Sequence, residues 1–137
     1  MMPQLMHKAA GIIIEDRSLL VLRSHGKAMF FAPGGKLERE ETPKQALVRE
    51  LREEISIEVK EGEMRFFATF TAPAAGLADT NLNMDVFVVN SYRGTISPRS
   101  EIAECCWMNS DNIKAIKVGS IFRDQVFPQL RSAGLIR

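Results

Sequence analysis

A chain of 137 residues, 45% apolar and 26% charged, has the composition of an ordinary soluble globule, with the length of one domain (1–137) around one real core. A net charge of +1 offers no electrostatic case for DNA or RNA as the main partner. No apolar run approaches the roughly 20 residues that cross a bilayer, and the start "MMPQLMHKAAGIII" carries no signal-peptide pattern, so a cytoplasmic protein without a membrane partner is expected.

In chain order, "KAAGIII" (Lys8–Ile14) and "SLLVLRS" (Ser18–Ser24) are short β-rich runs separated by "EDR", which predicts a hairpin. "MFFAPGGKL" is a short extended piece broken by Pro33, Gly34 and Gly35. The clearest helix start follows: Thr42 as N-cap, Pro43 at the first helical position and Gln45 closing a capping box, with the helix running to about Ile55. "ISIEV" and "MRFFATFTA" read as strands, "PAAGLADTN" as a loop containing Pro73 and Gly76, and "LNMDVFVVNSY" as a strand turned by Arg93-Gly94. "CCWM" predicts a short strand and "NSDN" a polar turn. Its cysteines, Cys105 and Cys106, are adjacent, and neither they nor His7 and His25 form a zinc-ligand spacing. A last helix is expected from near Ser120 to Gly134, bent by Pro128. Elements in this order predict an α/β fold, a mixed sheet with helices on its faces.

The helix after Thr42 carries an unusual charge pattern. Gly34 to Ile57 holds six glutamates, three of them as E-x-x-E-E. At about 100° per residue, Leu47, Val48, Leu51 and Ile55 form an apolar stripe, and Glu50, Glu53 and Glu54 share the neighbouring face. Two readings are open. One is a solvated face laced to Lys44, Arg49 and Arg52. The other is a site for a hard divalent cation, which takes oxygen ligands and relieves the repulsion of partly desolvated carboxylates. Pro33-Gly34-Gly35 favours the second, because a tight glycine turn lets backbone approach a ligand closely.

These residues match a known motif. From Gly35, five residues lead to Glu41, and seven more lead to Arg49-Glu50-Leu51-Arg52-Glu53-Glu54-Ile55-Ser56-Ile57. This resembles the Nudix box, G-x5-E-x7-R-E-U-x-E-E-x-G-U with U bulky and apolar, at eight of its nine specified positions; Ser56 replaces the second glycine. With the flanks "FFAPGG" and "EIAECCWM", the chain resembles Nudix hydrolases of the MutT-like branch along essentially its whole length.

The resemblance implies an α/β/α sandwich around a mixed β-sheet, and hydrolysis of a nucleoside diphosphate linked to another group, assisted by Mg²⁺ or Mn²⁺. Gly35 (through its carbonyl), Glu50, Glu53, Glu54 and Glu101 correspond to metal ligands, with Glu104 the rival to Glu101. Glu50 or Glu53 corresponds to the general base, and Arg49 and Glu41 to a pair that orients the glutamates. Arg23 resembles a position near the substrate. On the residues alone, Phe30, Phe31, Phe87 and Trp107 are candidates to stack on a base, and alternation puts Asn83, Asp85 and Phe87 on one strand face as candidate pocket groups.

The expected substrate is a small-molecule nucleotide, a (deoxy)nucleoside triphosphate cleaved to monophosphate and pyrophosphate by a monomer or homodimer. The alternatives are ADP-ribose or another nucleoside diphosphate derivative, a non-catalytic nucleotide sensor, and an RNA 5′ end. The MutT branch reads an oxidised guanine with an asparagine just before the last helix, and "IKAIKVGS" has none there.

Overall fold

The computed structural model describes residues 4–74 and 77–137. They form eight strands, β1 (Gln4–Ile12), β2 (Ile14–Glu15), β3 (Ser18–Ser24), β4 (Phe30–Phe31), β5 (Gly34–Lys36), β6 (Met64–Pro73), β7 (Thr80–Val89) and β8 (Ile102–Met108), and two α-helices, α1 (Pro43–Ile55) and α2 (Phe127–Ser132).

One sheet has the order β5-β1-β7-β6 and is mixed: β1 lies parallel to β7, while β5 and β6 run antiparallel to their neighbours. The other pairs β3 with β2, β4 and β8, all antiparallel. Alternate residues of the same strands feed two cores. Ala9, Leu20, Leu22, Phe87 and Val89 pack with Leu47, Leu51 and Ile55 of α1. Ala10, Leu19, Val21 and Val86 pack with Phe127 and Leu130 of α2. Strands buried on both faces form the middle layer with a helix on each side, which is the expected α/β/α arrangement.

The hairpin expected from Lys8 to Ser24 is smaller than the sequence suggested. Only Ile14–Glu15 pairs back on Ser18–Leu19, through a turn with Asp16 and Arg17 at positive φ. The run before it leaves for the other sheet, because a central strand buried on both faces has the same apolar signature as a hairpin arm. "ISIEV" is not a strand: Ile57 and Val59 are buried, but its only ladder contact among the described residues is a bridge between Glu58 and Arg93. "CCWM" is the end of the longer β8. Of the loop expected over residues 73–81, Ala75 and Gly76 lie outside the described residues, Pro73 ends β6, and Thr80 begins β7.

The termini of α1 follow their sequence signals, while the last helix, expected from near Ser120, is α-helical over Phe127–Ser132 behind a wider helical turn at Phe122–Val126. Thr42 accepts from the Gln45 N–H while the Gln45 side chain accepts from the Thr42 N–H, and Pro43 opens α1. Ser56 closes it at φ 66°, the left-handed conformation expected of the missing glycine. Before α2, the Phe127 N–H reaches back to the Phe122 carbonyl, a turn wider than α. This widening accommodates Pro128, which has no N–H to give and crowds the preceding turn. Gly134, at φ 76°, stands just past the C-cap.

Candidate active site

The site begins with two glycines that no other residue can replace without displacement. Gly34 has φ 140°, and a Cβ there would stand 2.0 Å from the Ala9 carbonyl oxygen. Its N–H donates to Glu54 Oε1 at 2.9 Å. A Cβ on Gly35 would lie 2.7 Å from the Glu50 carboxyl carbon. Bare backbone at β5 therefore lets the carboxylates of α1 press against the sheet edge.

Arg49 ties this arrangement together. Its Nε and Nη2 donate to the two Glu41 oxygens at 2.8 and 2.9 Å, and Nη2 also reaches the Lys36 carbonyl at 3.1 Å. Its Nη1 donates to Glu50 at 2.8 Å and to Glu53 at 3.3 Å. The fork from Arg49 holds the Glu41 carboxyl down at about 2. Glu41 also accepts the Glu38 N–H at 2.7 Å, which fixes the loop leading into α1.

Glu50, Glu54 and Glu101 line one cleft of 430 Å³ together with Lys8, Ala10, Phe31, Gly34, Gly35, Lys36 and Met84. Glu54 is 4% exposed, and burial pushes its carboxyl up to about 8; neighbouring Glu50, Glu101 and Glu53 raise it further while the Gly34 N–H opposes. Burial also raises Glu50, against the pull of Arg49. All these side-chain donors are oxygens, and the carboxylates repel one another, so the set suits a hard divalent cation. Among the described residues no three acidic, His or Cys side chains stand close enough together to cage an ion as they lie. The Arg49 guanidinium is the cation that bridges Glu50 and Glu53. Glu53, with its side chain 56% exposed, is at the rim and not in the cleft wall.

The remaining candidates divide. Glu101 faces the cleft, whereas Glu104 is held by Arg23 Nε at 2.6 Å. Arg23 also donates to the Lys27 carbonyl at 2.9 Å and is not among the residues lining the cleft. Phe31 lines both this cleft and an adjoining apolar pocket of 140 Å³ shared with Leu82, Met84, Val118, Ile121 and Phe122. Phe87 is buried in the core beside α1, and Trp107 packs against that same core.

Asn83 and Asp85 correct the sequence reading. Lys8 pairs with Met84 and Ala9 with Asp85 across the parallel β1–β7 ladder, and Lys8 and Met84 are the pair that lines the cleft. Side chains alternate, so Asn83 and Asp85 project from the opposite face. There Asp85 accepts from Thr69 at 2.5 Å and bonds His7 at 2.6 Å, and Asn83 accepts from Thr71 at 3.2 Å. The alternation was read correctly, but which face meets the cleft depends on β1 and β6, far away in sequence. Lys8, Lys36 and Met84 were missed; Lys36 directly follows the glycine pair, which was a usable signal.

A family model for the NUDIX domain matches residues 5–130. The chain belongs to the NUDIX domain family. It is a Nudix hydrolase of the MutT-like branch, with pyrophosphohydrolase activity. It is 32% identical over 99 residues, 69% of its own length and 84% of the other's, to a Proteus vulgaris protein named 8-oxo-dGTP diphosphatase. The solution structure of the E. coli ORF135 protein superimposes with a TM-score of 0.75 at 25% identity, covering 96% of this chain and 94% of that one. A structure from a study of MutT from Aliivibrio salmonicida and Vibrio cholerae gives 0.73 at 27% identity, covering 95% and 99%. No helix among the described residues is long and apolar enough to cross a membrane.

Proposed function

We propose that this Nudix hydrolase cleaves (deoxy)nucleoside triphosphates to monophosphate and pyrophosphate with the help of Mg²⁺ or Mn²⁺. The observation that carries this reading is the adjacency of two pockets. The carboxylate cleft, at Glu50, Glu54 and Glu101, shares Phe31, Ala32 and Met84 with the apolar pocket that Val118 also lines. A charged phosphate chain and a flat base need those two environments side by side.

The residues that would hold the ion are Glu50, Glu54 and Glu101, the backbone at Gly35, and Glu53 from the rim. Bound there, the ion would neutralise phosphate charge and acidify a water molecule. The protein's own part is positional. Glu50, half-desolvated and oriented by Arg49, is the better-placed acceptor for the proton of the attacking water, with Glu53 the more exposed second candidate. Glu41 and Arg49 hold helix and loop in register, and Phe31 offers a ring to the base.

The name of the Proteus vulgaris relative supports a triphosphate substrate. A strong preference for oxidised guanine is not expected. Asn109 is 8% exposed, with its amide donating to Ser18 Oγ at 2.9 Å and its carbonyl accepting from the Asp111 N–H at 2.8 Å. Asn112 is spent on the Trp107 carbonyl and the Asn109 N–H. Neither lines the cleft or the apolar pocket. A free-nucleotide substrate places the enzyme's work in the cytoplasm.

The test is a panel of the common triphosphates, 8-oxo-dGTP, ADP-ribose and dinucleoside polyphosphates, assayed with Mg²⁺ and again in excess EDTA. Pyrophosphate release from triphosphates, abolished by EDTA, is expected. A kcat/KM for ADP-ribose or a dinucleotide above that for every triphosphate would overturn the substrate assignment, and full turnover in EDTA would overturn the metal requirement.

A further inference from the structure

Lys8 has no part in the family motif. It lies on β1 in a row that crosses the sheet: Lys36 of β5 pairs with Lys8, and Lys8 pairs with Met84 of β7. All three line the same cleft. Lys36 stands at the β5 edge, while Met84 and Leu82 lead into the apolar pocket. The row therefore grades from charged to apolar, with Lys8 in the middle.

Its surroundings are costly for a cation without an anionic ligand. Among the described residues neither Lys8 nor its ladder partner Lys36 makes an ion pair, whereas Arg49 beside the same carboxylates is bonded to Glu41, Glu50 and Glu53. Burial and the neighbouring Lys36 both lower the proton affinity of Lys8, and Glu54 and Glu50 only partly offset them. Hydrophobic neighbours would have been served better by an apolar side chain. A phosphate group lying between the carboxylate end and the apolar end would supply the missing counter-charge.

Resting on the triphosphate reading above, we propose that Lys8 is a substrate-binding residue that contacts the phosphate nearest the nucleoside and so selects nucleotides over bare phosphate chains. The position in the row decides which phosphate. A base in the apolar pocket puts its sugar over Met84 and the first phosphate over Lys8, leaving the outer phosphates to Lys36 and the carboxylate end.

The experiment measures competitive inhibition of triphosphate hydrolysis by the four nucleoside monophosphates and by pyrophosphate, for the wild type, Lys8→Met and Lys8→Arg. Methionine fits the apolar neighbourhood and removes a desolvated charge, so thermal stability should hold or rise. Lys8→Met is expected to weaken all four monophosphates equally, by roughly 10- to 100-fold, the worth of a charge-assisted hydrogen bond. Pyrophosphate inhibition should stay as it is, and Lys8→Arg should recover most of the loss. Unchanged monophosphate inhibition, absence of it in the wild type, a loss confined to pyrophosphate, or a loss that follows one base would overturn the assignment. A wild type that hydrolyses no triphosphate would instead overturn the substrate reading on which the assignment rests.

Discussion

Gly35 and Glu50 occupy each other's space: the carboxyl carbon of Glu50 stands 2.7 Å from where a Gly35 Cβ would be. Gly35 has no positive φ, so alanine meets no backbone strain there. The atoms that must give way are the end of a flexible side chain. Gly35→Ala should therefore fold normally and lose activity, because the displaced group is the carboxylate proposed to take the proton or hold the metal. A drop in kcat of roughly 100-fold is expected from misplacement on this scale, with melting temperature nearly constant. Full kcat in Gly35→Ala would show that Glu50 is not held where the chemistry needs it.

The glutamates of the triplet should not be equivalent. Glu50, 15% exposed, lines the cleft, while Glu53 is 56% exposed at its rim. Glu50→Gln keeps shape and removes both basicity and ligand strength, so a loss of at least about 100-fold in kcat is expected. Glu53→Gln should cost less. Single-turnover rates at saturating Mg²⁺ would read the order, and a larger loss at Glu53 would move the base to the rim.

Glu54 should make the metal-free protein sensitive to alkali. Its carboxyl is raised from an ordinary 4.5 to about 8, chiefly by burial. A group whose pKa is higher folded than unfolded binds its proton more tightly in the native state. Its contribution is fully present below about 4.5 and is lost as pH climbs towards 8. In EDTA the melting temperature should therefore fall across that window, and Glu54→Gln should flatten the fall. Glu41, held at about 2 by Arg49, acts in the opposite sense, but only in acid below its ordinary value. Identical melting profiles for wild type and Glu54→Gln from pH 5 to 8 would contradict the assignment.

Ser56 carries a backbone strain that glycine would relieve. Its φ of 66° is the left-handed region, and its hydroxyl makes only a 3.4 Å contact with the Ser97 carbonyl. Ser56→Gly should stabilise by roughly 0.5–1 kcal/mol without changing kcat, since the residue is outside the cleft. Chemical denaturation would decide, and a lower midpoint would mean that the Ser97 contact outweighs the strain.

What was legible in the sequence was local. The Thr42 cap, the Pro43 start, the left-handed Ser56 and the common face of Glu50, Glu53 and Glu54 all follow from spacings within a few helical turns, where backbone geometry leaves little choice. The two-core layering was not legible: one core was expected, and an apolar run such as "AAGIII" reads equally as a hairpin arm or as a strand covered on both sides.

By itself the sequence determined the carboxylate helix, the glycine turn that meets it and the chemistry those residues permit. The tertiary structure alone decided which further residues join them. Glu101 enters the cleft and Glu104 is taken by Arg23; Lys8 and Met84 face the cleft while Asn83 and Asp85 face away. The physical reason is strand register. A strand's alternation is visible in its own residues, but which of its two faces looks into a cleft is fixed by hydrogen bonds to partners distant in the chain, and a shift of one residue would exchange every side chain between the faces.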